Sequence, residues 1–195
     1  MAEKVLVVDS NLIKERYGSN TSRLIAADEA EFTALVNENY SFLEREIAEA
    51  DPSKKQIIPY CVVMHDGHIY MTQRTKKQTE KRLHNKRSVG VGGHINPPDT
   101  EAENALLFGM KRELSEEMHL PEDYTYRFLG LINDDSTEVN SVHAGACYLI
   151  EVPSFDCSIK ETDKMTGEWI KTDEIAEYYD GMEGWSLIAL ASILD

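Results

Sequence analysis

The segment "RELSEEM" (Arg112–Met118) places three glutamates within five residues. On a helix, Glu113 would face Glu116 at i,i+3 and Glu117 at i,i+4, where like charges each cost roughly 0.2–0.5 kcal/mol. Within the segment, only Arg112 can offset this repulsion. Because hard divalent cations bind carboxylate oxygens supplied by one rigid element, the cluster indicates a Mg²⁺ or Mn²⁺ site.

The sequence around this segment, from Thr100 to Met118, predicts one long helix with a capping box formed by Thr100 and Glu103. An apolar stripe at helical spacing would face the core and comprises Leu107, Met110, Leu114 and Met118. The glutamates would then lie on an adjoining arc of about 100°, at the boundary between core and solvent. Gly109 shares that arc, which indicates either the close approach of a ligand or tight packing against a neighbour.

Short apolar segments on both sides of the helix predict strands. They are Glu3–Val8, Ile57–Met64, His68–Arg74, Ser88–Ile95, Tyr126–Ile132, Val142–Val152 and Glu168–Ile170. One or two helices are predicted within Ala27–Ala50, and two more at Asp173–Tyr179 and Glu183–Leu194. Strands before and after a central helix, without regular alternation, indicate an α/β or α+β sandwich. We expect an N-terminal extension over residues 1–55, packed on a core domain over residues 56–195.

Length and cysteine content favour one intracellular domain. A chain of 195 residues can bury a sizeable core. Its three cysteines form no CxxC pair, which is typical of free thiols in a reducing compartment. The N-terminus lacks the pattern of a signal peptide, and the longest apolar run is too short to span a bilayer. We therefore expect a cytoplasmic protein without a membrane partner.

The charge distribution is uneven. A net charge of −15 argues against a nucleic-acid polymer as partner, because phosphate contacts need a basic field. The segment Arg74–Arg87, in contrast, has seven basic residues and one acid. It is either a solvated loop or a landing site for an anion. The candidate phosphate contacts are Arg74, Lys81, Arg82 and Lys86.

The stretch "GGHINPPDTEAENALLFGMKRELSEEMHL" (Gly92–Leu120) resembles the Nudix box, G-x5-E-x7-R-E-U-x-E-E-x-G-U, in which U is aliphatic. The resemblance extends from about Gln56 to the C-terminus. Within the superfamily the sequence is similar to a divergent branch of predicted phosphoesterases of the MutT type. The resemblance implies an α/β/α sandwich with a mixed sheet and a catalytic loop–helix–loop.

The sequence departs from that pattern in three ways. Asp99 stands where the family has glutamate, with five residues between it and Gly93. Twelve residues, instead of seven, separate it from Arg112. Counting backward from Arg112 would place Asn104 at the glutamate position, which fits less well, so we interpret the difference as an insertion. His119 replaces the late glycine.

The resemblance implies metal-dependent hydrolysis of a diphosphate linkage in a nucleoside diphosphate derivative or a related small molecule. By resemblance, Glu116 and Glu117 bind Mg²⁺ or Mn²⁺, and Glu113 is either a third ligand or the base that activates water. Arg112 would orient a glutamate through an ion pair. The backbone carbonyl of Gly92 would complete the metal's coordination.

Other parts of the site are less defined by the sequence. His94 is a further candidate for contact with phosphate, and a later loop could supply another acid, either Glu161, Asp163 or Glu168. One alternative is a Nudix-like module that binds a nucleotide without cleaving it. Another is a prenyl-diphosphate isomerase, which generally needs a catalytic cysteine, here Cys61. The expected partner is a small-molecule diphosphate substrate, and a homodimer is left open.

Overall fold

A computed structural model describes residues 2–74, 86–160, 162–163 and 165–195. The strands are β1 (Lys4–Asp9), β2 (Ser41–Glu44), β3 (Lys54–His65), β4 (His68–Arg74), β5 (Arg87–Ser88), β6 (Gly90–Val91), β7 (Met118–His119), β8 (Thr125–Ile132), β9 (His143–Glu151), β10 (Ser158–Ile159) and β11 (Met165–Lys171). The α-helices are α1 (Ser10–Tyr17), α2 (Glu29–Asn39), α3 (Arg45–Ala50), α4 (Ala105–Glu117), α5 (Glu138–Ser141) and α6 (Gly184–Ile193). Within the described residues, 3-10 helices span Pro97–Glu101 and Ile175–Tyr178.

Strand β3 organises a mixed sheet of nine strands. It pairs in parallel with β9 along most of its length, from Gln56 to Met64. On its other edge it pairs in antiparallel fashion with β1, then β6, then β4. A strand covered on both faces reads as a nearly continuous apolar run, which accounts for "IIPYCVVM" at Ile57–Met64.

Alternate residues of β3 face two different helical layers. Ile57, Cys61 and Val63 join the core cluster that contains the buried side chains of α4. Tyr60 and Val62 join the cluster that contains those of α6. The predicted α/β/α sandwich with a mixed sheet is therefore confirmed.

The N-terminal residues contribute strands to the same sheet. The segment predicted to hold one or two helices contains α2 and α3, with the short strand β2 between them. Strand β1 pairs with both β2 and β3. The boundary drawn at residue 55 stays a prediction. None of the helices in the described ranges combines the length and apolar character that crossing a bilayer requires.

Helix α4 begins later than the sequence predicts. Its N-cap is Asn104, whose side chain accepts a hydrogen bond from the Leu107 N–H at 3.0 Å. The predicted capping box is wrong because the Thr100 hydroxyl donates instead to the Pro97 carbonyl, at 2.9 Å. Pro97–Glu101 instead form a separate 3-10 helix ahead of α4.

Candidate active site on helix α4

The acidic residues of α4 flank its buried stripe. Leu106, Met110 and Leu114 are buried on the helix. The Glu113 side chain lies at the edge of this stripe and is 13% exposed, whereas Glu116 is 58% exposed. The carboxylates therefore extend from the margin of the core into solvent, as the helical spacing predicts.

Arg112 connects this acidic cluster to the preceding loop. One guanidinium nitrogen, Nη1, donates to Glu113 at 2.8 Å and to Glu116 at 3.1 Å. Nε and Nη2 each donate to the Asp99 carboxylate at 2.9 Å, which is a bidentate ion pair. Nη2 also donates to the His94 carbonyl at 2.8 Å. The hydrogen bonds to Asp99, followed by the nearby Glu113 charge, raise the pKa of Arg112, so it stays charged.

Asp99, the ion-pair partner of Arg112, was not among the predicted site residues. Its side chain is 1% exposed, and its Oδ2 also accepts from the Asn96 N–H at 2.8 Å. The spacing Gly93-x5-Asp99 was the available signal, since it identified Asp99 with the first acid of the motif. The insertion therefore lengthens the chain between Asp99 and Arg112 without separating their side chains.

Two glycines bring the loop close to the sheet and to the helix. A Cβ atom at Gly92 would collide with the Pro59 carbonyl oxygen. A Cβ at Gly93 would lie 2.5 Å from the Glu113 carboxylate carbon, closer than real contacts allow. Only glycine therefore lets the Glu113 carboxylate rest against this backbone.

Gly109 is explained by packing. It is buried, and a Cβ there would lie 3.1 Å from Ile95 Cγ1 and 3.5 Å from Asp99 Oδ2. Of the two interpretations of this glycine, the structure supports tight packing of α4 against the loop.

Burial raises the pKa of Glu113. The Arg112 guanidinium opposes this shift, whereas the negative charges of Glu116 and Asp99 reinforce it. A carboxylate whose pKa lies closer to neutrality is a better proton acceptor than an ordinary glutamate. This property fits the role of base, although it does not exclude a ligand that loses its proton when a cation binds.

The three glutamates of α4 are ligands of the kind that a hard divalent cation binds, although their side chains do not point to one common position. In the described ranges, no group of three or more acidic, histidine or cysteine side chains is gathered closely enough to hold a metal ion. Instead, Glu113 and Glu116 turn towards Arg112. Carboxylate oxygens are nevertheless the ligands that Mg²⁺ and Mn²⁺ prefer. The Glu113 carboxylate lies against the Gly93 backbone, where a Cβ would collide with it.

Among the predicted substrate-binding residues that the structure describes, His94 contacts the α4 site through its backbone carbonyl, which accepts from Arg112. Arg74 forms an ion pair with Glu183, at 3.3 Å. Lys86 lies beside it, with its carbonyl accepting from the Arg74 N–H at 3.1 Å. The His94 ring lies 6.0 Å from that of His143, measured between centroids. Lys81 and Arg82, like the candidate acid Glu161, lie outside the described residues. Asp163 and Glu168 are exposed.

Comparison with known proteins shows the family. The chain is 36% identical to Protein YmaB of Bacillus subtilis (strain 168) over 164 residues, which cover 80% of each protein. It is 35% identical to the crystal structure of Tm1382, a candidate Nudix hydrolase, with 98% of both chains covered and a TM-score of 0.82. The chain belongs to the Nudix superfamily. No family model matches it.

More distant Nudix structures share the fold. The MutT Nudix hydrolase from Burkholderia pseudomallei is 15% identical, with a TM-score of 0.51 over 71% of this chain and 98% of that one. Membership identifies the chain as a Nudix-type phosphohydrolase and supports a pyrophosphohydrolase-type activity in general. Nudix hydrolases generally use divalent metals, which agrees with the carboxylate donors of α4.

Proposed function

We propose that this Nudix protein hydrolyses a phosphoanhydride bond in a nucleoside diphosphate derivative or a related small molecule, with Mg²⁺ or Mn²⁺ as cofactor. The observation that supports this most is the position of Glu113. Its carboxylate is largely buried, rests against Gly93 and is bonded to Arg112. Such a carboxylate is held in one place by its surroundings, as a catalytic group must be.

In this proposal Glu113, Glu116, Glu117 and the Gly92 carbonyl would hold the cation. When bound, a divalent cation supplies a Lewis acid that offsets the negative charge of the diphosphate. The Glu113 and Glu116 carboxylates are thus already bonded to Arg112 before any substrate arrives. Arg112 would release Glu113 and Glu116 to the cation, and it would keep its bidentate pair with Asp99.

Glu113 would act as the base if it is not a ligand throughout the reaction. A water oxygen forms a bond to phosphorus, its proton passes to the Glu113 carboxylate, and the anhydride P–O bond breaks. The departing phosphate or phosphomonoester takes the electron pair of that bond. Arg74 and Lys86, near the two ends of the basic segment, are proposed to bind phosphate oxygens together with Lys81 and Arg82.

The isomerase alternative is disfavoured by the state of Cys61. The residue is 1% exposed on β3, and burial raises the pKa of its thiol well above the ordinary value. The negative charges of Glu117 and Glu113 raise it further. A thiol in this position is not the reactive thiolate that such an isomerase needs. No observation on the described residues favours a module that binds a nucleotide without cleaving it. A cytoplasmic location and a homodimer stay predictions.

A screen of nucleoside diphosphate derivatives with Mg²⁺ and with Mn²⁺ tests the proposal. Products are separated by anion-exchange chromatography, with Glu117→Gln as the inactive variant and Glu103→Gln, at an exposed position before α4, as the matched control. We expect metal-dependent cleavage by the wild type and by Glu103→Gln, and none by Glu117→Gln. Ligand binding without turnover under both metals would instead identify a non-cleaving module.

A further inference from the structure

The segment that carries Gly92 crosses from one strand of the sheet to another. Strand β5 ends at Ser88 and pairs with β4, whereas β6 begins at Gly90 and pairs with β3. Val89 lies between them and is buried. At this crossing its N–H donates to a side chain of α6, the Ser186 Oγ, at 3.0 Å. Helix α6 therefore holds the chain at the point where it changes strands.

Three buried hydroxyl groups meet at this crossing, those of Tyr60 on β3, Ser88 on β5 and Ser186 on α6. The Tyr60 Oη lies 2.8 Å from the Ser186 Oγ and 3.3 Å from the Ser88 Oγ. The two serine oxygens are 3.2 Å apart. The Ser88 Oγ also accepts from the Gly90 N–H at 3.2 Å and donates to the Gly90 carbonyl at 3.0 Å. We call these three residues the hydroxyl network.

The hydroxyl network can satisfy the hydrogen bonds of all its members. Its protons can be arranged so that Tyr60 donates to Ser186 and Ser186 donates to Ser88. The Ser88 proton then goes to the Gly90 carbonyl. The serine oxygens accept, in addition, the N–H groups of Val89 and Gly90. A buried polar network that is fully satisfied rigidifies its surroundings, so side chains from two other elements fix the backbone at this crossing.

Two glycines let the same segment lie directly against β3. A Cβ at Gly90 would collide with the Tyr60 ring, and a Cβ at Gly92 would collide with the Pro59 carbonyl oxygen. Backbone that packs this closely has little freedom to move towards β3. Since the hydroxyl network fixes Val89 and Gly90, it also determines where the chain leaves β6 for Gly92.

This segment leads directly into the candidate active site. Gly92 follows β6, and its carbonyl is a proposed ligand of the cation. At Gly93, the next residue, the Glu113 carboxylate rests against the backbone. Helices α4 and α6 pack on opposite faces of the sheet. Ser186 thus acts on the α4 site through the backbone that begins at Val89 and not by direct contact.

We propose that Ser186 is a positioning residue for the metal site on α4. With Tyr60 and Ser88 it fixes the backbone that carries Gly92, and it thereby sets the place of the Gly92 carbonyl relative to the glutamates. A displaced carbonyl leaves the cation with a poorer set of ligands, so the hydroxyl network raises the affinity for the cation. This inference rests on the proposed function, in which the Gly92 carbonyl binds the cation.

A second serine of α6 provides a matched control. The Ser192 Oγ accepts from the Leu24 N–H at 3.0 Å, a bond of the same kind and length. Leu24 belongs to the N-terminal part of the chain, where the adjacent Ile25 bridges to Leu131 on β8. Removing this bond changes how α6 is attached without touching the segment that carries Gly92.

Titration of the full chain with Mn²⁺, followed by electron paramagnetic resonance of the free ion, tests the proposal. Ser186→Ala is expected to weaken Mn²⁺ binding about tenfold, the lower end of the range for residues that orient a metal ligand. Tyr60→Phe keeps the ring against Gly90 and removes only its hydroxyl, so Mn²⁺ binding should weaken in the same direction. Ser192→Ala should bind Mn²⁺ as the wild type does.

Amide hydrogen exchange in EDTA gives a second measurement that needs no cation. In Ser186→Ala the amides of Val89 and Gly90 should exchange about tenfold faster than in the wild type, because their local opening becomes easier. The Leu24 amide should not change in this variant. Ser192→Ala should show the reverse, with faster exchange at Leu24 alone.

The proposal is overturned if Ser186→Ala and Tyr60→Phe both bind Mn²⁺ as tightly as the wild type, or if Ser192→Ala weakens binding equally. It is also overturned if Val89 and Gly90 exchange no faster in either network variant. Because Tyr60→Phe is measured independently, it decides these outcomes where Ser186→Ala does not fold. A wild type that binds no Mn²⁺ would contradict the proposed function, and the exchange rates would then decide alone whether Ser186 fixes the segment.

Discussion

The two sides of the Gly92–His94 loop differ in how their polar groups are satisfied. On the α4 side, Arg112 alone donates to two neighbouring glutamates, to Asp99 and to the His94 carbonyl. On the α6 side, the Gln56 amide and the ring nitrogens His94 Nε2 and Trp185 Nε1 find no hydrogen-bond partner among the described residues. The first side has internal ion pairs that a cation and substrate must rearrange. The second has buried neutral groups instead of ion pairs. One loop thus separates a charged cluster, suited to chemistry, from a neutral cluster of buried polar groups.

The variant with the largest expected effect removes the charge of one acid on the α4 side. Losing a residue that only supports a metal ligand typically lowers activity roughly 10–100-fold. Glu117→Gln should lower diphosphatase activity by more than this, because the metal ligand itself is lost. Steady-state rates at saturating Mg²⁺ measure this effect, and circular dichroism checks that the fold is kept. Equal activity in Glu117→Gln and wild type would contradict the assignment.

The variant with the second-largest expected effect breaks the ion pair between Asp99 and Arg112, which holds the loop to α4. Asp99→Ala leaves Arg112 without its bidentate partner, and removing one member of a buried pair typically costs about 3–5 kcal/mol. Arg112 is partly exposed and keeps other acceptors, so we expect about 3 kcal/mol. Urea unfolding measures the loss. Glu101→Ala, at an exposed position of the same 3-10 helix, should change stability by less than about 0.5 kcal/mol. Similar losses in both variants would argue against the ion pair.

A third variant separates catalysis from stability. Gly93→Ala introduces a Cβ that must displace the Glu113 carboxylate, the flexible end of a side chain. We expect activity to fall about tenfold, the effect of roughly 1.4 kcal/mol on a barrier, with a smaller change in stability. Paired rate and unfolding measurements distinguish the two effects. Gly184→Ala, where a Cβ meets nothing within 4 Å, is the control. Full activity in Gly93→Ala would show that the position of Glu113 is not critical.

The smallest effect concerns the histidine on the α6 side. Burial lowers the pKa of His143, and the charges of Arg45 and Lys55 act in the same direction. The Val139 carbonyl and the charge of Glu49 oppose this shift. Since the unfolded chain binds a proton near pH 6.5 and the folded chain does so only at lower pH, this contribution to stability is complete above about pH 6.5. It is lost as the pH falls through the lowered pKa.

Unfolding experiments between pH 7.5 and pH 5 measure this dependence. His143→Gln should reduce the decline in stability towards acid, because the histidine whose pKa is lowered on folding is removed. His119→Gln, at an exposed position, is the matched control. If His143→Gln shows the same decline as the wild type, the histidine does not stay neutral on folding.

The apolar pattern predicted most of the fold. The continuous run at Ile57–Met64 required a strand covered on both faces, and β3 is that strand. The helix start could not be predicted in the same way. Thr100 and Glu103 have the spacing of a capping box, but Asn104, nearer the apolar stripe, caps the helix. Prolines at 97 and 98 favour a short turn, and local spacing alone does not rank two polar caps.

The site was predictable where residues lie close in sequence and less so where the fold brings them together. The glutamates follow from helical spacing within α4. The pairing of Arg112 with Asp99 depends on how the insertion folds, and the spacing after Gly93 only suggested it. The positions of Gln56 and Trp185 on the same face of the sheet were not predicted, because Gln56 sits at the start of an apolar strand and Trp185 lies far from it in sequence. Their proximity is a result of the sheet register and the packing of α6.

The central claim is that a divalent cation binds against the glutamates of α4. The most direct test is anomalous diffraction from a crystal soaked in Mn²⁺. The account predicts a peak about 2.1 Å from carboxylate oxygens of Glu116 and Glu117, close to the Gly92 carbonyl, with Glu116 turned away from Arg112. The absence of a peak at saturating Mn²⁺, with Glu113 and Glu116 still bonded to Arg112, would contradict it.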